Sequence, residues 1–74
     1  MAEKAGELKK LVAIANDLEL SSELRAKTIK LIGDAGTHEA LLSLLGLVAN
    51  EKLTKGEREL ALKQAQRIIK RSPQ

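Results

Sequence analysis

The sequence predicts an all-α domain of four helices arranged as two helical hairpins. Apolar residues recur at intervals of three and four, which is the period of a helix with one apolar side. Phe, Trp and Tyr are absent, so the core must consist of aliphatic side chains, whose shapes suit packed helices. Capping residues and glycines separate the periodic segments, and each separation marks the end of one helix and the start of the next.

The length and composition predict a single small domain, residues 1–74. A chain of 74 residues buries only about 60% of the surface that its unfolded form exposes, so its core is modest. Hydrophobic residues make up 43% and charged residues 31%, a globular balance.

The chain has no cysteine, which excludes disulfides and thiolate chemistry and fits a reducing compartment, so we expect a cytoplasmic protein. No stretch approaches the roughly 20 apolar residues of a membrane span, and we expect no membrane contact.

The first two helices are predicted from their apolar stripes and from the residues between them. The stripe of the first helix ends near Leu18, before two serines that can cap a new helix. The second helix is predicted from about Ser22 to Ile32. Gly33 follows its last periodic residue, so we expect this glycine to supply the left-handed terminator.

The third helix, predicted from about His38 to Asn50 after a cap at Thr37, is apolar almost all round. So short a chain cannot readily bury eight apolar residues of one helix, and the surplus predicts a protein interface. Ser43 and Gly46 line up as a shallow track where a helix of this chain or of a second copy can approach closely. We assign Leu41, Leu45 and Val48 to the core. The predicted interface consists of Leu42, Ser43, Gly46, Leu47 and Leu60.

The fourth helix is predicted to begin after Thr54 and to end near Arg71, before Pro73. Thr54 and Glu57 have the spacing of a capping box, in which two free backbone donors are satisfied reciprocally. One side of this helix is apolar and comprises Ala61, Leu62, Ala65, Ile68 and Ile69. Nearly opposite lies a basic stripe of Lys63, Arg67, Lys70 and Arg71.

The two predicted hairpins resemble each other. The stretch from Leu11 to Asp17 matches that from Leu45 to Glu51 at a shift of 34 residues, and the second and fourth helices match less closely at a shift of 36. The segment LRAKTIKLIGDAGTHEALLSLL resembles a HEAT-type repeat, whose usual pattern is V-R-x-x-A-x-x-x-L-G. The residues at the matching places are Leu24, Arg25, Thr28, Ile32 and Gly33. This resemblance implies stacked helical hairpins that bind other macromolecules without catalysis; a small four-helix bundle is the alternative architecture.

The sequence contains no motif for a cofactor, a metal or catalysis. His38 and Ser43 are five residues apart and lie on different sides of a helix, so they cannot act together as base and nucleophile. We therefore predict a non-catalytic protein-interaction or scaffold module whose partner is another protein or a second copy. The alternative is nonspecific nucleic-acid binding through Lys63, Arg67, Lys70 and Arg71, although the net charge is only +3 and no aromatic side chain is available for stacking on bases.

Overall fold

The computed structural model describes residues 4–71, so Pro73 and the predicted helix end that it marks lie outside the described residues. The described chain is all-helical, without a strand, which confirms the predicted fold class. The helices are α1 (Lys4–Ala15), α2 (Ser22–Ala35), α3 (His38–Ala49) and α4 (Lys55–Arg71).

The helices pack as two hairpins that meet through their second members. Helix α1 packs against α2, and α3 packs against α4. Helices α2 and α4 also pack closely on each other, whereas α1 and α3 have the smallest contact of any packed pair. The core is aliphatic, and its largest fully buried side chains are Ile29, Ile32, Leu44 and Leu47. Helices α2 and α4 therefore form the centre, and α1 and α3 lie outside them.

Helix α1 ends at Ala15, three residues before the predicted end at Leu18. The N–H of Asn16 still donates to the carbonyl oxygen of Val12 as in a helix, and the pattern is lost from Asp17 onward, where side chains bond the nearby backbone. Asn16 Nδ2 donates to the carbonyl oxygen of Val12 at 3.1 Å, and Asp17 Oδ1 accepts the N–H of Glu19 at 3.0 Å. Side-chain hydrogen bonds to the backbone therefore end α1 at Ala15, although its apolar stripe continues to Leu18.

Helix α2 continues to Ala35, so the prediction that Gly33 terminates it is wrong. The left-handed residue is Gly36, with φ 67°, and Thr37 then caps α3 as predicted, its Oγ1 accepting the N–H of Ala40 at 3.1 Å. Gly33 is buried where α2 crosses α4. A Cβ built on Gly33 would lie 2.9 Å from Gln64 Cβ and would overlap Gln64 Oε1. Gly33 therefore permits the close approach of the two central helices, and Gly36 ends α2.

The capping box at the start of α4 is confirmed, and the structure adds a second task for its glutamate. Thr54 Oγ1 accepts the N–H of Glu57 at 3.1 Å, and Glu57 Oε1 accepts the N–H of Thr54 at 3.0 Å. The other carboxylate oxygen, Oε2, accepts from Arg25 Nη2 at 2.8 Å and Nε at 3.1 Å, and from Ser22 Oγ at 2.5 Å. One carboxylate thus caps its own helix and joins the two hairpins.

Arg25 completes this network on the side of the first hairpin. Its Nη1 donates to the carbonyl oxygens of Leu20 at 2.7 Å and Asp17 at 3.2 Å, both in the turn between α1 and α2. The Arg25 and Glu57 side chains are only 8% and 2% exposed. A buried ion pair offsets its desolvation cost only when its remaining donors and acceptors are also satisfied, and here they are.

The first prediction concerns the acid stability that Glu57 confers. Burial raises the pKa of Glu57, but hydrogen bonds from Ser22, Arg25 and Thr54, together with the charge of Arg25, outweigh it and lower the pKa from 4.5 to about 2. Because the folded-state pKa lies below the unfolded one, the stabilisation is complete above pH 4.5 and is lost as the pH falls toward 2. Urea unfolding across this range should show a loss on the order of 3 kcal/mol.

Two variants isolate this contribution. Glu57→Gln should be less stable near neutral pH and should lack most of the decline between pH 4.5 and 2, because glutamine does not titrate. Glu59→Gln, an exposed neighbour on the same helix, should keep the decline. The same pH dependence in all three proteins would contradict this assignment.

The second prediction concerns the crossing at Gly33. Gly33→Ala should lower the free energy of unfolding by about 1–3 kcal/mol, because the added methyl group collides with Gln64 although alanine favours helices. Gly46→Ala is the matched control, since Gly46 also lies inside a helix but has open space around its Cβ position. It should raise stability by about 0.5–1 kcal/mol. Urea titrations followed by circular dichroism measure both, and a gain in stability from both changes would contradict the packing role of Gly33.

Candidate functional site

The solvent-facing side of α3 is apolar and uncharged. Leu42, Leu45, Gly46 and Ala49 follow one another at helical spacing and are all exposed, with Leu42 at 55% and Leu45 at 41%. Charged residues normally cover such a side, yet α3 carries none after Glu39 in its first turn. We call these four residues the α3 face.

Two exposed aliphatic side chains of α4 lie on the side of that helix that carries Arg58. Arg58 Nε donates to the carbonyl oxygen of Val48 at 2.7 Å, which brings this side of α4 against α3. Leu62 and Ile69 lie four and eleven residues after Arg58, on the same side of the helix, and are 42% and 56% exposed. The exposed apolar surface therefore includes one edge of α4 as well as the α3 face.

The structure corrects two of the sequence-based assignments around α3, those of Leu47 and Leu45. Leu47, predicted at the interface, is 1% exposed and belongs to the core, and Leu60 packs against that core. Leu45, predicted in the core, is exposed. The reason is the phase of the helix: Ala40 and Leu44 point inward together with Leu47, so Leu45, one residue beyond Leu44, turns outward. Leu47 stabilises the fold and offers no free surface to a partner, whereas Leu60 packs against the core and stays partly exposed.

Gly46 and Ser43, the two small residues predicted to allow close approach of another helix, have different surroundings. Gly46 is exposed, and outside its own helix no atom of the described residues lies within 4 Å of a Cβ built on it. No other helix of the described chain therefore uses Gly46 for close approach. Ser43 is half-buried and lines a groove next to α1.

An apolar groove of about 1320 Å³ separates the amino-terminal halves of α1 and α3. The carboxyl ends of these helices are joined, because Asn50 Nδ2 donates to Asn16 Oδ1 at 2.7 Å. The end of α2 closes the groove from below. We call this the α1–α3 groove, and its largest apolar lining residues are Leu8, Leu11, Val12, Leu31 and Leu42.

Acidic side chains predominate among the charged residues of this groove. Glu7, Asp34 and Glu39 contribute three carboxylates to its lining, and Lys9 contributes one ammonium group. All four side chains are exposed. The groove thus combines an apolar lining with an acidic rim, although the whole chain carries a net charge of +3.

The predicted basic stripe of α4 divides into two parts. Lys63 and Lys70 are exposed on the outer side of the helix. Arg67 Nη1 donates to Gln64 Oε1 at 2.7 Å and lies 3.8 Å from Asp34 Oδ1. The Arg71 guanidinium lies beside the turn after α2, where a Cβ built on Gly36 would be 3.5 Å from Arg71 Nη2. The two arginines thus border the end of α2, and the two lysines face solvent.

Neither a metal cluster nor a membrane-spanning helix is found in the described part of the chain. His38 is exposed in the first turn of α3. Across residues 4–71, no three His, Cys, Asp or Glu side chains converge as a metal site would need. None of the four helices is both long enough and apolar enough to cross a bilayer.

No protein family, curated protein or solved structure matches this chain. Three features of the molecule itself therefore bear on its function. They are the uncharged α3 face, the α1–α3 groove with its acidic rim, and the exposed lysines of α4.

Proposed function

We propose that this protein is a non-catalytic interaction module that binds a helix of another protein through the α3 face. The observation that carries the proposal is the absence of charge on the solvent side of α3 beyond its first turn, where Leu42 and Leu45 are exposed. Covering two half-exposed leucines would contribute about 1 kcal/mol each. A contiguous exposed apolar surface of this kind is typical of protein interfaces.

Gly46 supports the same proposal. A glycine inside a helix costs stability relative to alanine, and at Gly46 no packing contact within the described fold offsets that cost. Lying between Leu45 and Ala49, it leaves a shallow depression in the α3 face into which a side chain of a partner helix can fit. Binding of a partner helix thus explains a glycine at position 46, whereas packing within the described fold does not.

The proposal treats the two hairpins as repeats of one HEAT-like unit. Asn16 and Asn50, equivalent at the shift of 34 residues, are hydrogen-bonded to each other. Arg25 and Arg58 occupy the same place after their helix caps, since their N–H groups donate to the carbonyl oxygens of Ser21 and Thr54. The Arg25 side chain also donates to two carbonyl oxygens in the preceding turn, and the Arg58 side chain donates to the carbonyl oxygen of Val48 near the end of α3. The asparagine pair follows the sequence similarity between the hairpins, whereas the arginines, 33 residues apart, correspond in their place after the cap and not in the alignment at a shift of 36.

We attribute the basic residues of α4 to stabilisation of the helices. Arg67 and Arg71 lie at the carboxyl end of α2, where cations interact favourably with free carbonyl groups. Exposed Glu59 precedes Lys63 by one helical turn, which reduces the positive field on the outer side. Helix stabilisation therefore accounts for these cations without a nucleic-acid ligand.

The proposal predicts that one exposed leucine matters for binding and not for folding. Leu42→Gln should weaken partner affinity at least tenfold and change the free energy of unfolding by less than about 0.5 kcal/mol, because Leu42 is half exposed. A photo-crosslinking residue at position 42 identifies the partner, and titration of the purified partner then measures the affinity.

Leu24→Gln is the matched control, since Leu24 is 47% exposed on α2 and lies outside both the α3 face and the groove. It should leave the affinity unchanged. Equal affinities for both variants would contradict the proposal. So would an amide NMR titration in which duplex DNA, at physiological salt, shifts Lys63 and Lys70 while no protein binds.

A further inference from the structure

We propose that the α1–α3 groove binds a basic amphipathic helix, one with an aliphatic stripe flanked by lysine or arginine. This inference rests on the proposed function and specifies the chemistry of the partner, since Leu42 belongs both to the α3 face and to the lining of the groove beside it. Three features of the groove support it: its size, the aliphatic character of its lining, and the excess of carboxylates at its rim.

The size of the groove fits a helix better than a small molecule. Its volume is about 1320 Å³, above the range of roughly 300–1,000 Å³ in which small-molecule pockets fall. The groove is lined by residues 6–12 along α1 and by residues 37–43 at the start of α3, each about two helical turns. The groove also lies between two outer helices, and a third helix laid there would have helical neighbours on both sides and below.

The lining selects an aliphatic stripe. Leu8 and Leu11 on α1, Leu31 at the end of α2 and Leu42 on α3 present branched aliphatic side chains to the groove. The described lining holds no aromatic ring and no buried polar group that would recognise a specific ligand atom. Binding of an amphipathic helix in an apolar groove depends on side chains spaced at i, i+3, i+4 and i+7, which such a lining accommodates.

The charge of the rim selects the basic flank. Glu7 and Glu39 lie in the first turns of α1 and α3, where acids also stabilise their own helices. Asp34 has no such role, because it lies in the last turn of α2, where a carboxylate faces the negative end of the helix dipole. Arg67 Nη1 lies 3.8 Å from Asp34 Oδ1, and both side chains are exposed to solvent. This ion pair therefore offsets little of the unfavourable interaction between Asp34 and the helix dipole. Helix stability therefore does not account for Asp34, whereas attraction of a cationic partner does.

Three helical probes test the partner chemistry. The first is a 14-residue peptide with leucines at i, i+3, i+4 and i+7 spacing, lysines elsewhere and one terminal tryptophan. The second has glutamate for every lysine, and the third has the lysine peptide's composition in scrambled order. Because the protein has no aromatic residue, the tryptophan is the only fluorophore. The lysine peptide should bind at least tenfold more tightly than either of the others.

Two sets of charge-neutralising changes locate the binding site. Glu7→Gln, Asp34→Asn and Glu39→Gln together should weaken binding of the lysine peptide about five- to tenfold, and less at high salt. The matched triple variant, with the same change in net charge, should bind as the unchanged protein does. It carries Glu19→Gln, Glu23→Gln and Glu51→Gln, all exposed positions outside the groove, with Glu23 likewise in a first turn. Thermal unfolding confirms that both triple variants are folded.

The outcomes separate this inference from the proposed function. Equal binding of the lysine and glutamate peptides, or equal affinities of the two triple variants, would contradict the inference that the partner helix is basic. If Leu45→Gln, a change in the α3 face outside the groove lining, still weakened partner affinity, the α3 face would stand. Failure of every peptide, together with no effect of Leu42→Gln on partner affinity, would overturn both proposals. A concentration-dependent dimer that the groove triple variant disrupts would overturn the basic-helix partner, because the occupant would then be a second copy.

Discussion

The buried ion pair between Arg25 and Glu57 is the interaction on which the rest of the structure depends. It joins two residues that are 32 positions apart, and each partner also has a local task. Arg25 holds the turn between α1 and α2 through the carbonyl oxygens of Asp17 and Leu20. Glu57 satisfies the backbone donor of Thr54 at the start of α4. The start of each central helix and the packing of the two hairpins are thus linked through one carboxylate.

The central position of α2 and α4 explains why the exposed apolar surfaces lie on the outer helices. Four helices can enclose only one side of α3, where Ala40, Leu44 and Leu47 meet the core. No further layer of the described chain covers the opposite side. Helix α1 has little contact with α3, and a hydrogen bond between Asn50 and Asn16 joins their carboxyl ends. The α3 face and the groove both follow from this incomplete enclosure.

The sequence was sufficient for the features that depend on local chemistry. The four helices and the caps at Thr37 and Thr54 follow from period and spacing within a few residues. The sequence does not predict which side of α3 faces the core, because apolar residues are spread around its whole circumference. Only the contacts with neighbouring helices decide that Leu47 is buried and Leu45 is exposed. The same limit applies to Glu57, whose local signal indicates a cap and whose partner Arg25 is brought near only by the fold.

The joined ends of α1 and α3 have a mechanical consequence. The hydrogen bond between Asn16 and Asn50 holds the two helices at one end, while their other ends border the groove. A small rotation of α1 about this point changes the width at the far end by several times the displacement near the pivot. Helices α2 and α4 need not move, because their packing does not include this pair. Such a pivot would also shift Leu8, Leu11 and Val12, which pack against the core, so the packing of α1 on α2 sets how far the groove can open.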